Sequence, residues 1–435
     1  MLSESQKLRT LKRLLAIAAV WHVAFVLALF FVGRTRLAPQ TIDRNGIGIS
    51  FAIDTYSYRI EAEEMAALIW RGKFHDWTRY KASFHVKLYS LSFALAGGLV
   101  GHNILGAEPL NLLYYLLILA LTFFIASEVF EVKIALLASG GVALWPSLVL
   151  HTSQLLRDAL FIPALLLLVL ALLLSVNRNL TWKQGLLVAI PGALGALTVW
   201  LCRGDSWEIV IAILIFGAAI CFLAQIRQRK FSSGSTIAVV MILLLTTCTP
   251  KFIPTYRQSG RLLIADLQKD EPPPPPWDVA RRLALLRHKF IVSYPLAGSN
   301  VDTDVELRGA TDVVRYLPRA AMIGFFAPFP RMWVARGEQV GRAGRLIAGA
   351  EMILLYVITA AAFLVLINER RRLSLWLLWG IAAGGCIALG FVVMNISTLY
   401  RMRYAYFILL IILGMKGLVS VLPRKLTARA TRVSD

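Results

Sequence analysis

Ten stretches of this chain are long and apolar enough to cross a bilayer, and that pattern limits the fold more than any other feature. They run Leu14 to Gly33, Pro109 to Phe130, Ile134 to Leu150, Ala159 to Val176, Gly185 to Leu201, Ile209 to Ala224, Ser235 to Thr249, Leu346 to Ile367, Leu373 to Met394 and Tyr404 to Leu422. Inside lipid a segment must satisfy its own backbone polar groups, so each run is expected to be a helix. The expected fold is all-α, a polytopic integral membrane protein with about ten transmembrane helices. Composition agrees: 58% of the 435 residues are hydrophobic and 16% charged, far from the balance of a soluble domain.

Lys7, Arg9, Lys12 and Arg13 precede the first run, which could pass for a signal peptide. Arg34 and Arg36 follow it in place of a small-residue cleavage site, so it reads as a retained first helix. A net charge of +21 would suit a nucleic-acid partner if it were gathered in one domain. The basic residues are instead scattered in short clusters between apolar runs. They read as topology determinants and contacts with anionic membrane lipids, and no nucleic-acid partner is expected. Cys202, Cys221, Cys248 and Cys386 lie in or at the ends of apolar segments without metal-ligand spacing, and read as free thiols.

An eleventh apolar segment, Leu88 to Val100, decides the topology. If it does not span, Lys133, Arg178 with Lys183, Arg227 with Arg229 and Lys230, Arg370 to Arg372, and the tail with Arg424, Lys425, Arg429 and Arg432 all share the side of the N-terminus. If it spans, every later cluster changes sides and the positive-inside rule is broken. The segment is therefore placed flat in the outer interface. Asp54, Asp158, Arg203, the region Lys251 to Arg345 and Arg401 then lie together on the other side, and both termini are cytoplasmic.

Three regions follow. Residues 1–250 form a transmembrane module with a first outer loop over 34–108, residues 251–345 a large second outer loop, and 346–435 the last helices and a basic tail. In the first loop Tyr58, Ala62, Met65, Leu68 and Ile69 recur at helical spacing opposite Arg59, Glu63 and Glu64, and Gly72 offers a stop, which predicts a second interfacial helix. In the second loop Pro272 to Pro276 reads as a polyproline II spacer, with short helices over Arg261 to Asp270 and Trp277 to His288. Tyr316 to Pro330 is apolar but too short and proline-rich to span, and is expected to be interfacial or re-entrant.

Asp54-Thr55-Tyr56-Ser57-Tyr58 with Ala62 and Gly72, then Lys87-Leu88-Tyr89, Trp145-Pro146-Ser147 running to Leu156-Arg157-Asp158, and Tyr400-Arg401-Met402-Arg403 before the last helix resemble the GT-C glycosyltransferases. The likeness is to bacterial members of the protein-mannosyltransferase type, glycosyltransferase family 39-like. It covers the first half of the chain and, loosely, the last helix. Members often carry a Lys-Pro-Pro-like motif where this chain has His85-Val86-Lys87-Leu88, so the subfamily is left open. The resemblance implies a polyprenyl-phosphate-linked sugar donor, an acceptor that is a glycan, a lipid or a protein, and an active site on the outer face of a bacterial plasma membrane.

Such a transfer needs one carboxylate to take the acceptor proton and a few cations to balance the leaving phosphate. Asp54 is the candidate base, with inversion expected by analogy with single-displacement glycosidases. As a plain helix N-cap it would also be well explained. Asp158, beside Arg157, could position the acceptor or bind a divalent cation, or be an ion-paired cap. Lys87, Arg157, Arg203, Arg401 and Arg403 are candidates for the lipid phosphate, against simple snorkelling to headgroups. Tyr56 and Tyr58 could stack on a sugar or belong to an interfacial aromatic belt. His22 reads as a satisfied histidine within the bundle and Glu128 as solvated at a helix end. One rival is a polysaccharide polymerase or O-antigen ligase-like enzyme using His288, Arg308, Arg315 or Arg319 of the late loop. Another is a lipid-linked sugar flippase, disfavoured by near-uncharged midplanes and the lack of an internal repeat.

Overall fold

A computed structural model describes residues 4–39, 41–43, 48, 49, 52, 54–253, 274, 275, 277–293, 295, 297–334 and 341–421. Among them the regular elements are helices, and eight helical stretches are long and apolar enough to cross a membrane. The chain is a multi-pass membrane protein. Ile53, the expected helix over Arg261 to Asp270, Pro272, Pro273 and Pro276 of the proline run, and the basic tail from Arg424 to Arg432 lie outside the described residues.

One of the eight stretches, Trp182–Gln228, is 47 residues long and is two passes. It breaks where Arg203 leaves helical geometry (φ −148°, ψ 59°) ahead of a 3-10 turn over Gly204–Ser206. The halves, α9 (Trp182–Arg203) and α10 (Trp207–Gln228), run in opposite directions along α8 (Asp158–Asn177). Gly195 of α9 packs on the Ala164 backbone near the start of α8, whereas Cys221 of α10 lies 3.5 Å from the Ser175 carbonyl near its end. Another pass is a bent pair, α6 (Val132–Ala143) and α7 (Pro146–Thr152), 64° apart. Sequence reading takes Ile134 to Leu150 as one run. The break comes from Pro146, which holds Trp145 extended (φ −68°, ψ 110°) and so ends α6. With Trp182–Gln228 counted as two passes and the bent pair as one broken span, the eight stretches among the described residues come to the ten expected.

The first helix, α1 (Glu4–Arg34), lies antiparallel to α5 (Ile104–Val129). His22 of α1 bonds to Glu108 and stacks on Tyr115, and Val26 shares a hydrophobic cluster with Ile104 and Ala107. Thus α5 starts at the face where α1 ends, and none of the described helices between them crosses. The segment Leu88 to Val100 belongs to α4 (Phe84–Val100), whose 17 residues reach about 25 Å, short of a bilayer core of about 30 Å. It folds back on the early turns of α5, with Ser92 Oγ donating to the Gly106 carbonyl (2.8 Å) and Tyr89 Oη to Asn111 Oδ1 (2.8 Å). Across it lies α2 (Asp54–Trp70), buried along Thr55, Tyr58, Ala62, Met65 and Ala66; of the face its spacing predicts, Tyr58, Ala62 and Met65 are buried, whereas Leu68 and Ile69 are half-buried. It stops at Gly72, whose φ of +69° favours glycine, and α3 (Phe74–Arg79) follows.

At the opposite face Arg178 pairs with both oxygens of Glu128 (3.0 and 2.5 Å), so Glu128 is ion-paired and not simply solvated. Arg227 donates to the Arg371 carbonyl (2.7 Å), and Arg372 to that of Val129. The helix ends that carry Lys133, Arg178, Lys183, Arg227 and Arg370 to Arg372 therefore gather at this one face. It is served by α11 (Ser233–Phe252) and α15 (Gly341–Asn368) and by α16 (Leu373–Val392).

In the late loop, α12 (Val279–Ser293) covers the expected helix after Trp277. The apolar stretch from Tyr316 falls in α13 (Ala310–Phe326), which dips alongside the end of α16 and turns back at Ala327. Contact there is backbone to backbone: a Cβ on Gly324 would lie 2.1 Å from the Cys386 carbonyl oxygen. A short α14 (Pro330–Trp333) leads toward α15, and the chain ends its described part with α17 (Ile396–Met402) and α18 (Tyr404–Val421).

Candidate active site

Charged helix ends converge at the face where α1 ends. Asp54 and Asp158 are the first residues of α2 and α8, where carboxylates suit the positive end of a helix dipole, and Arg203 closes α9, where a cation suits the negative end. Arg203 Nη2 donates to Asp158 Oδ1, and both side chains are almost wholly buried, at 2% and 3% exposure. Arg401 of α17 spans the remaining gap, with Nη2 3.3 Å from Asp54 Oδ2 and Nη1 3.8 Å from Asp158 Oδ2. One guanidinium therefore links two carboxylates 104 positions apart in the chain. Asp158, read from sequence beside Arg157, takes Arg203 as its closest partner instead. The Arg203 guanidinium also lies over the Phe161 ring (5.2 Å).

The cluster is electrostatically tight. Burial works against the charge on Arg157, but Asp205, Tyr58, Asp158 and Asp54 outweigh it and hold the guanidinium firmly protonated. Burial likewise opposes Arg401, and Asp158 and then Asp54 reverse the effect. Tyr58 is pushed up to about 12 by burial, so its phenol stays neutral. Its ring meets the edge of His85 at 4.5 Å. Burial, with Arg157 adding to it, lowers His85 to about 3, which makes that imidazole neutral as well.

Other residues named from the sequence lie elsewhere. Tyr56 is partly exposed and hydrogen-bonds to Asp43. Lys87 donates to the Thr78 carbonyl (2.9 Å) and pins α3 to α4. Arg403 lies apart from the carboxylate cluster: it is fully buried and donates to the carbonyls of Gly324 (2.9 Å) and Ala327, sandwiched by Tyr400 and Phe407. The end of α13 leaves carbonyls without intrahelical donors, and Arg403 supplies them. His22 is satisfied by Glu108 (2.9 Å) and Thr152 (3.2 Å), as expected. In the late loop Arg319 is engaged by Asp302 (2.8 and 2.9 Å) and Arg308 by Glu306 (2.7 Å).

Two residues near the cluster went unnoticed in the sequence. Glu351, 5% exposed inside a spanning helix, accepts from the Ser147 amide (2.7 Å), Ser147 Oγ (2.6 Å) and Tyr400 Oη. It fastens α17, and with it Arg401, to α7. A lone carboxylate within an apolar run was the available signal. His85 carried no such signal. Among the described residues no three His, Cys, Asp or Glu are grouped to hold a metal ion. Asp54 and Asp158 could offer two oxygen ligands, but Arg401 stands between them. The side chain of Asp54, at 32% exposure, is the accessible carboxylate of the pair and is free of the short contact that ties up Asp158.

No protein-family model, no curated protein and no solved structure matches this chain.

Proposed function

We propose that the chain is a GT-C-type glycosyltransferase that moves a sugar from a polyprenyl-phosphate donor to a hydroxyl of a glycan, lipid or protein acceptor. The observation that carries this reading is the sharing of Arg401 between Asp54 and Asp158. The cluster lies at the face away from the basic helix ends, which the positive-inside rule makes cytoplasmic, so the reaction is assigned to the extracytoplasmic side of a bacterial plasma membrane. Asp54 accepts the acceptor hydroxyl proton as that oxygen bonds to the anomeric carbon. The bond from the anomeric carbon to the phosphate oxygen breaks, its electron pair leaves on the polyprenyl phosphate, and the anomeric centre inverts. Arg401 supplies positive charge beside the leaving phosphate, and Asp158 with Arg203 fixes where it stands. The donor lipid reaches the site laterally from the membrane.

Asp54→Asn tests this in purified protein reconstituted with polyprenyl-phosphate sugars. Transfer should fall by about 10² to 10⁴-fold, with the thermal midpoint within a few degrees of the parent. An unchanged rate would leave Asp54 as a helix-end acid and nothing more.

A further inference from the structure

At the face opposite the carboxylates, a cavity of about 580 Å³ opens where α5, α8 and α10 end and α16 begins. Val176, Ala224 and Leu373 give it an apolar wall, and Arg227, Arg371 and Arg372 give it positive charge. Further into the bundle α10 and α16 close on one another, since a Cβ on Gly380 would lie 2.4 Å from the Phe216 ring. The cavity is therefore bounded on the membrane side and open toward the basic helix ends.

The charges around it do not cancel. Glu128 is the carboxylate of the lining, and Arg178 takes both its oxygens (3.0 and 2.5 Å). Arg372 pairs with Glu369 (2.6 Å) and donates its other terminal nitrogen to the Val129 carbonyl. Arg227 and Arg371 have no acidic partner among the described residues. Arg227 instead reaches across to the Arg371 carbonyl (2.7 Å), which brings the end of α10 against the turn before α16. Two guanidinium groups on one cavity repel each other, and an anion between them turns that cost into attraction.

The depth of the cavity indicates which anion. It sits where apolar helices give way to flanking arginines, and Trp376 there donates its indole N–H to the Arg370 carbonyl (2.8 Å), as tryptophans do at headgroup level. Leu223, one turn below Arg227 on α10, and Trp376, one turn past Leu373 on α16, are both exposed. An apolar surface thus runs from the cavity into the membrane. A water-soluble phosphate compound would use only the charged rim, whereas an amphiphile uses the rim, the apolar wall and this surface together.

We propose that this cavity is a discrete site for an anionic glycerophospholipid, its phosphate held between Arg227 and Arg371 and its acyl chains lying along Leu223 and Trp376. The site is distinct from the general attraction of a basic face for anionic lipid. It owes nothing to the glycosyltransferase reading and is tested apart from it.

The test is equilibrium binding of fluorescently labelled phosphatidylglycerol to the full chain in neutral detergent. Competitors are unlabelled phosphatidylglycerol, phosphatidylcholine, glycerol 3-phosphate and inorganic phosphate. Phosphatidylglycerol should compete at least about tenfold more strongly than phosphatidylcholine, and neither soluble phosphate should compete at matched concentration. Replacing both arginines, Arg227→Gln with Arg371→Gln, should weaken phosphatidylglycerol by about tenfold or more and leave phosphatidylcholine within about twofold. Both side chains are exposed, so the thermal midpoint without added lipid should stay at the parent value. The control is Lys133→Gln with Lys183→Gln, which removes the same charge from the same face outside the cavity and should change phosphatidylglycerol affinity by less than about twofold. If the lysine pair weakens binding as much as the arginine pair, the attraction is spread over the whole face and there is no discrete site. If glycerol 3-phosphate or inorganic phosphate displaces the label as well as phosphatidylglycerol does, the ligand is a soluble phosphate compound and the lipid assignment is wrong. If phosphatidylglycerol competes no better than phosphatidylcholine, the cavity does not select for charge and the proposal fails outright.

Discussion

The two ends of α8 each carry a carboxylate–guanidinium pair, and the pairs differ in burial more than in chemistry. At its start Asp158 meets Arg203, with side chains 3% and 2% exposed; just past its end Arg178 meets Glu128, at 60% and 12%. The exposed pair gains little, because water already solvates Arg178 and salt screens the attraction. The buried pair gains from a low dielectric but had to lose two hydration shells, and the balance can be near zero. Its value is positional. Two charges that cannot be separated cheaply fix the start of α8 against the end of α9, and so fix where Arg401 and Asp54 find their partner.

The largest test of this contrast is Arg203→Met. It leaves Asp158 buried with only the longer contact to Arg401, and should destabilise the protein by about 3–5 kcal/mol in a denaturation series in detergent. A loss under about 1 kcal/mol would mean that the pair is hydrated after all. Next in size is a pH effect at His85. The folded chain keeps this imidazole neutral down to about pH 3, whereas the unfolded chain takes up a proton near the ordinary value of 6.5. Stability from this group is therefore complete above pH 6.5 and is lost as pH falls toward 3, by an amount on the order of a few kcal/mol. His85→Gln should flatten that slope, and an unchanged slope would assign it to another group. The smallest effect belongs to Arg178→Gln, expected to cost less than about 1 kcal/mol and to shrink further in 1 M salt. If it rivals Arg203→Met, the two ends of α8 are not different in kind.

The side shared by Asp54 and Asp158 was legible in the sequence because topology is written locally. Basic residues flanking apolar runs set orientation, and demoting Leu88 to Val100 from spanning to non-spanning brought the two carboxylates to one face. The antiparallel contact of α1 with α5 bears that out. The break before Pro146 was also there to be read, since a proline ends a helix at the residue before it. The fates of Arg401 and Arg403 were not. They stand two residues apart in one motif, yet one reaches the carboxylates and the other the carbonyl end of α13. Which arginine points where depends on helices that arrive from more than 70 positions away.

By itself, then, the sequence determined that this chain spans a membrane about ten times as helices, and that two acids lie on the same side. Hydrophobic length and flanking charge act residue by residue against the lipid, so no tertiary contact is needed to read them. Only the tertiary structure decided that Arg203 takes Asp158, that Arg401 joins it to Asp54, and that the His85 ring nitrogens find no hydrogen-bond partner among the described residues. Pairing inside a low-dielectric interior is settled by distances of a few ångströms between helices, and those distances are fixed only when the whole bundle has packed.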